Sequence, residues 1–160
     1  MKIKTAELQG AALDWAVAKA QGLEEILVFG RTRPTDRGWI EVRFNPEPKA
    51  RTARFDPSVN WSLGGPLLDV ANITLIRAND EYGVDSRGFT TCERIPQWFA
   101  ECDPCVGHDV CTSYEGEHMD PTFMIDEEDG FYGPTPLVAI CRCFVASKLG
   151  EEVDVPEELL

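Results

Sequence analysis

The stretch GPTPLVAICRCFVASKLG, residues 133–150, constrains the fold more than any other part of the chain. Leu137, Ile140, Cys141, Phe144, Val145 and Lys148 recur at i, i+3, i+4, i+7, i+8 and i+11, which is the period of one helix face. Thr135 supplies the side-chain oxygen of an N-cap, and Pro136 suits the first helical position, where no amide hydrogen is needed. Gly150 closes the helix, and Lys148 near its end complements the helix dipole. Cys141 lies on the apolar face and behaves as a small hydrophobe, while Cys143 lies on the flank.

A second helix is expected near the start. Thr5 is its N-cap and Gly22 its stop after Gln21. Leu8, Ala12, Trp15 and Ala16 fall on one side, with Leu13, Val17 and Ala20 widening the stripe. Gly10 weakens this helix, so packing by Trp15 has to hold it. Ile26 to Gly30 reads as a short buried strand. Gly38 to Phe44 alternates, with Ile40, Val42 and Phe44 on one face and Trp39, Glu41 and Arg43 on the other. The turn-rich RTRPTDRG between them predicts a hairpin. Asn72 to Asn79 reads as a third strand and Gly88 to Arg94 as a fourth. The segment from about residue 100 to 132 shows no periodicity and reads as a long loop insertion rich in cysteine and acidic residues. The expectation is one α+β domain over residues 1–150, a small, mainly antiparallel sheet with an N-terminal and a C-terminal helix, followed by an acidic tail at 151–160.

Charge divides the chain. Residues 1–100 hold 13 basic and 13 acidic side chains, and residues 101–160 hold 2 against 15, so the net charge of −13 lies wholly in the last part. Arg31, Arg33, Arg37, Arg43, Lys49, Arg51 and Arg54 form a basic segment opposed only by Asp36, Glu41 and Glu47. Such a chain repels nucleic acid at one end and attracts an anion at the other. No apolar run reaches the ~18 residues of a membrane span, and MKIKTAELQG has no apolar stretch behind its lysines, so no secretory signal is expected there.

Two stretches carry candidate sites. In NWSLGGPLLD, the pair Asp56-Pro57 just upstream has the form of a cap followed by proline, and a single turn is expected at Val59 to Trp61. Gly64 and Gly65 permit close backbone approach, and Pro66 opens a new short helix with the amides of Leu67 and Leu68 facing outward. A phosphate or carboxylate fits such a helix start, and Trp61 offers a ring for stacking. The ligand set read from this is Asp56, Asn60, Trp61, Gly64, Gly65 and Pro66, with Arg43 and Arg54 from the basic segment. The alternative is a glycine–proline corner with Trp61 in the core. No lysine follows the glycines, so this is not a Walker loop. The second stretch is CDPCVGHDVC, in which Cys102, Cys105, His108 and Cys111 recur at every third residue. Three thiolates and an imidazole are a valid tetrahedral set for structural zinc, although the spacing differs from common fingers and knuckles. Cys92 and His118 are spare candidates, and the alternatives to zinc are free thiols or a disulfide. The acids from Asp126 to Asp129 lack the spacing of a calcium loop and read as a solvated run. With two histidines, both in the loop, and no hydrolase motif, no catalytic set emerges and the protein is expected not to be an enzyme.

Three segments carry a family resemblance: the opening MKIKTAELQGAALDWAVAKAQG, the middle FDPSVNWSLGGPLLD followed by NITL, and the end YGPTPLVAICRCFVASKLGEEVDVPEEL. They resemble the NinX-like family of small phage proteins, a domain of unknown function. The similarity covers about Met1 to Leu75 and Tyr132 to Leu159. Gln97-Trp98-Phe99-Ala100 matches a short tryptophan-containing strand of that family, whereas the cysteine-rich stretch departs from its pattern. The resemblance implies a phage or prophage source, the host cytoplasm and an accessory role, with counter-defence as the associated expectation. FDPSVNW with LLDVANITL is also similar to phage proteins that sequester nucleotide immune signals. Two functions follow as expectations. One is a non-enzymatic, homo-oligomeric binder of an anionic, nucleotide-like molecule, with its pocket at an oligomer interface. The other is an acidic inhibitor or DNA mimic that binds a host defence protein. A zinc-stabilised module without a pocket stands beside these as a structural alternative.

Overall fold

The structure, a computed structural model, describes residues 1–30, 38–44, 51–77, 81–84, 86–93, 98–102 and 130–160. The C-terminal helix α4 (Pro136–Leu149) is its centre. Thr135 accepts a hydrogen bond from the Val138 amide at 3.3 Å, Pro136 occupies the first turn and Gly150 ends the helix at φ 90°. Its buried residues include Leu137, Val138, Ala139, Ile140, Cys141, Cys143, Phe144 and Val145, which is most of its circumference. A helix apolar on so many sides has to be covered by two layers. One layer is α1 (Gly10–Ala20), which also packs on β3 of the sheet formed by β2 (Ile26–Phe29), β3 (Trp39–Phe44) and β4 (Arg51–Arg54). The other is the sheet of β5 (Ile73–Arg77), β8 (Trp98–Cys102) and β9 (Gly130–Gly133). A hairpin of β6 (Glu81–Val84) and β7 (Thr90–Glu93) and a ribbon of β1 (Lys2–Lys4) with β10 (Glu152–Asp154) complete the strands described. The strand pairs are antiparallel, and the fold is α+β with helices at both ends of the chain. The expected single sheet is divided into separate small sheets.

The expected hairpin is present as β2–β3, in the register Val28 with Ile40 and Ile26 with Val42. Ile40 and Val42 are buried beneath α1, as their alternation requires. The first helix departs from expectation. Thr5 does not cap it but begins a separate 3-10 turn, Thr5–Glu7, and α1 starts at Gly10, which takes φ 55°. That left-handed value is open to glycine and interrupts a helix running from Thr5. Thr5 is buried instead, with its amide donating to the Glu151 carbonyl and its hydroxyl to the Gly150 carbonyl, each at 2.7 Å. Trp15 is only half-buried, and the Lys19 ammonium lies 5.7 Å from its ring centre. Ala12, Leu13, Ala16 and Val17 carry the packing in its place.

Residues 151–160 are acidic but do not hang from the domain. In β10 and the residue after it the odd positions turn inward: Val153 and Val155 are buried while Glu152 and Asp154 face solvent. The following 3-10 turn, Glu157–Leu159, inserts Leu159 into the core. The N-terminal ammonium donates to the Val155 carbonyl at 2.7 Å and lies 3.0 Å from Asp154 Oδ1. This segment closes the structure. Removing it should cost on the order of 5 kcal/mol, since three buried aliphatic side chains contribute about 1.5–3 kcal/mol each. We expect a chain ending at Gly150 to have lost most of its cooperative urea transition. An unchanged midpoint would show that the segment adds nothing to the core.

Candidate functional site

Among the described residues, a cleft of about 400 Å³ opens where α1 begins, lined by Gln9, Gly10, Ala11 and Asp14, by Gly38, by Arg54, Asp56, Ser58 and Val59, and by Leu159. Four chain segments meet there, two of them for local reasons. The positive φ of Gly10 starts α1 abruptly, and its N-cap, Gln9, makes no side-chain cap hydrogen bond. Gly10 and Ala11 line the cleft, and the helix dipole places partial positive charge at this end of α1. Opposite, β4 ends at Arg54, whose Nε donates to Asp56 Oδ2 at 3.1 Å. The guanidinium side chain is 64% exposed and carries five donors, so this ion pair does not exhaust it.

Asp14 is the floor of the cleft. It is 6% exposed, and its Oδ1 accepts from the Ser58 amide at 2.8 Å. This bond ties α1 to the turn that follows β4. Burial pushes the Asp14 carboxyl up from 3.8 to about 6, against the lowering effect of its hydrogen bonds from Ser58. Asp56 adds a repulsion that raises it further, and Arg54 partly offsets that. The folded chain holds this proton more tightly than the unfolded chain. The stability it contributes is complete below pH 3.8 and is lost as pH rises through about 6. Asp14→Asn keeps an acceptor for Ser58 without the buried charge. Its urea stability relative to the parent should rise across pH 4 to 7 by on the order of 2 kcal/mol, at about 1.4 kcal/mol per unit. A difference that stays flat with pH would mean that Asp14 ionises freely.

The expected ligand residues fall in different places. Arg54 and Asp56 line the cleft. Asn60 caps the short helix α2 (Trp61–Gly64) by accepting from the Ser62 amide at 3.0 Å, and its amide group reaches Asp56 Oδ1 at 3.4 Å. Val59 and Asn60 donate their backbone amides to the Asp56 carbonyl, so the turn lies at residues 57–59, ahead of the expected Val59 to Trp61. Trp61 is 54% exposed and so is not a core residue. Pro66 precedes α3 (Leu67–Val70), as expected, but the Leu68 amide is not free for an anion because it donates to the Gly65 carbonyl at 3.1 Å. Arg43 is drawn away by Glu25 at 3.0 Å and does not line the cleft.

The two glycines serve packing. A Cβ on Gly64 would meet the Pro57 carbonyl and come within 2.9 Å of Leu137 Cδ2 on α4. A Cβ on Gly65 would lie 2.7 Å from the Trp61 carbonyl oxygen. Gly64→Ala should therefore destabilise the protein by about 1–3 kcal/mol, the usual cost of overpacking. Trp61→Ala should leave the thermal midpoint close to the parent's, because half of the ring is already in water. A reversed order of the two in a thermal melt would move Trp61 into the core and Gly64 out of it.

Of the candidate zinc ligands, Cys102 ends β8 and donates from Sγ to the Ala71 carbonyl at 2.9 Å. Cys105, His108 and Cys111 lie outside the described residues. The described residues contain no group of three or more potential metal ligands. The expected flank position of Cys143 is corrected. It is 2% exposed, because β8 and β9 cover that side of α4. Asp14, Ser58, Gln9 and Gly38 were not anticipated as site residues. The one signal for Asp14 was an acid set between Leu13 and Trp15 in an otherwise apolar helical stretch, where it has poor propensity and needs a partner.

The fold and cleft define a small α+β protein built around one buried helix, with a solvent-open recess at the start of another. A family model described as Bacteriophage P22, NinX matches residues 4–96, more than half of the chain, and the chain belongs to that family. The match takes in α1, the β2–β3–β4 sheet and the cleft residues from Gln9 to Val59. It leaves out the cysteine-rich stretch and α4. No curated protein matches the chain. The protein is thus a phage protein of NinX type, and among its described residues no helix is long and apolar enough to cross a membrane.

Proposed function

We propose that this NinX-family protein is a non-enzymatic phage accessory protein that acts in the host cytoplasm, as a counter-defence factor, by binding an anionic, nucleotide-like molecule in the cleft at the start of α1. One observation carries the reading: the Arg54 guanidinium and the opening turn of α1 line the same recess. Helix-start amides and an arginine fork are complementary to phosphate oxygens. A volume of about 400 Å³ falls within the range of small-molecule sites. Of the two carboxylates present, Asp56 is already paired with Arg54, and Asp14, raised to about 6 by burial, takes up a proton more readily than an ordinary carboxylate. Gln9 and the Asp14 carboxyl offer hydrogen bonds to a base or sugar. Exposed Trp61, next to the Asn60 cap, is available to stack on a ring.

Native mass spectrometry before and after incubation with a mixed nucleotide panel tests this. The expected result is a nucleotide-sized mass shift on a homo-oligomer. The shift should weaken at least about tenfold in Arg54→Ala, as befits loss of a charge-assisted contact, and it should weaken in a folded Trp61→Ala. A bare polypeptide with every member of the panel would sink the reading.

A second reading is favoured by the docking of the C-terminal segment. Glu151, Glu152, Asp154, Glu157 and Glu158 are exposed on a strand and turn anchored by Val153, Val155 and Leu159. Acids held on ordered backbone present a defined negative surface to a basic host defence protein, and such an interaction weakens steeply with salt. Glu157→Gln with Glu158→Gln leaves the anchors intact. It should reduce capture of that partner from host lysate without altering nucleotide binding.

A further inference from the structure

β3 is the central strand of its sheet and divides its backbone between two neighbours. The Arg43 amide donates to the Glu25 carbonyl at 3.2 Å, while the Ile40 carbonyl accepts from the Phe55 amide at 3.1 Å. An antiparallel ladder alternates, so odd residues of β3 bond toward β2 and even residues toward β4. In the register of β3 with β4, Val42 faces Ala53 and Phe44 faces Arg51. Arg51 and Ala53 therefore direct their backbone groups at β3, and Thr52 and Arg54 direct theirs away from the sheet. All four residues of β4 are exposed, and no described strand lies beyond it. The opposite edge differs. The final turn of the chain packs against β2, and a Cβ on Gly30, just past that strand, would lie 3.2 Å from the Glu158 carbonyl oxygen.

The open edge also has a sign. Arg51 and Arg54 leave β4 on opposite faces of the pleat, and Lys49 precedes them in the sequence. Among the described residues Arg51 makes no ion pair, and Arg54 has donors beyond the one given to Asp56. Alternating N–H and C=O groups match another peptide backbone. Nucleic acid is a poorer fit, because those carbonyls and a net charge of −13 both oppose phosphate. A second copy is a poorer fit too. Pairing β4 with its equivalent gathers the Arg51 and Arg54 side chains of both copies along one short ladder.

We propose that the free edge of β4 is a docking site for an extended acidic peptide segment of a partner protein, which adds to the three-stranded sheet as a fourth strand. Backbone bonds to Thr52 and Arg54 hold the peptide, and its carboxylates select it. Because Arg51 and Arg54 lie on opposite faces, two acids three residues apart reach both, one from each face. Acids two apart share a face and reach only one. The surface is opposite in charge to the exposed acids of the C-terminal segment, and it stands without a ligand in the cleft.

The test titrates the full chain with a blocked octapeptide of threonine and valine that carries two glutamates three residues apart. Amide hydrogen exchange is read residue by residue. The peptide should slow exchange at Thr52 and Arg54 at least about tenfold and leave Arg51 and Ala53, already bonded to β3, unchanged. Replacing its glutamates by glutamine should weaken binding about tenfold, as loss of charge-assisted contacts does, and placing them two apart should weaken it too. Thr52→Pro removes an outward amide without touching the ladder to β3, and should abolish binding. Three outcomes would overturn the proposal: no slowing at Thr52 and Arg54 with peptide in excess, equal protection by the glutamine peptide, or equal protection by an oligothymidylate. Slow exchange at both amides in a dimer without peptide would likewise overturn it, by making a second copy the occupant. The exchange measurements use the parent chain, so they hold whether or not the proline variant folds.

Discussion

Burial of α4 is the constraint from which the rest of the architecture follows. Eight of its residues are hidden, and they are distributed around the helix rather than along one stripe. No single sheet can cover such a cylinder, which accounts for α1 on one side and the β5–β8–β9 sheet on the other. Arg142 shows how completely the helix is enclosed. Its position inside the bundle forces the guanidinium to find oxygen partners, and it does so by donating from Nε to the Leu8 carbonyl at 2.9 Å and from Nη1 to the Tyr132 carbonyl at 2.6 Å. A charged group half withdrawn from water thereby ties the segment before α1 to β9, on opposite sides of the helix. Burial lowers its pKa, and the carbonyl dipoles keep the cation satisfied.

The ends of the chain complete this enclosure. β1 and β10 pair across the exit of α4, and Thr5 donates to the two residues that follow the helix. Leu159, carried by the final turn, reaches both the core and the cleft wall. The cleft is therefore a by-product of how the chain closes. Its floor is α1, its far wall is the end of β4, and its rim is the last turn of the chain. A ligand bound there would contact elements distant in sequence and favour the closed form over the open one by mass action.

Elements with a strong local period were legible in the sequence. The cap, proline and glycine of α4 and the alternation of β3 needed no tertiary information. What escaped was decided by partners. Lys2 to Lys4 and Glu152 to Asp154 are three-residue strands flanked by charge, and each is a strand only because the other lies beside it. Arg51 to Arg54 has only Ala53 as an apolar side chain to announce β4, which is an exposed edge strand held by its register with β3. Thr5 offered the chemistry of a cap but serves a long-range contact with Gly150, which no local rule anticipates. The candidate site was half legible. Arg54 and Asp56 were identified by charge and turn chemistry. The glycines at 64 and 65 could be read either way, because close approach to Pro57, Leu137 and Trp61 leaves the same mark in a sequence as a loop open to a ligand.

Asp14 joins the two halves of this account. An acid in the middle of a packed helix raises the free energy of the folded state at neutral pH, and a neutral isostere would serve the Ser58 contact as well. The core therefore gives no reason for the charge. The cleft does. A carboxyl whose pKa is near 6 can hold a proton while donating to a bound acceptor, or release it and accept from a bound donor. An anion placed beside Arg54 and the α1 amides would raise that pKa further and draw a proton into the site. Binding and protonation would then favour one another. Part of the stability lost by burying Asp14 would be recovered when the cleft is filled, so the strain at its floor and the recess above it are two aspects of one arrangement.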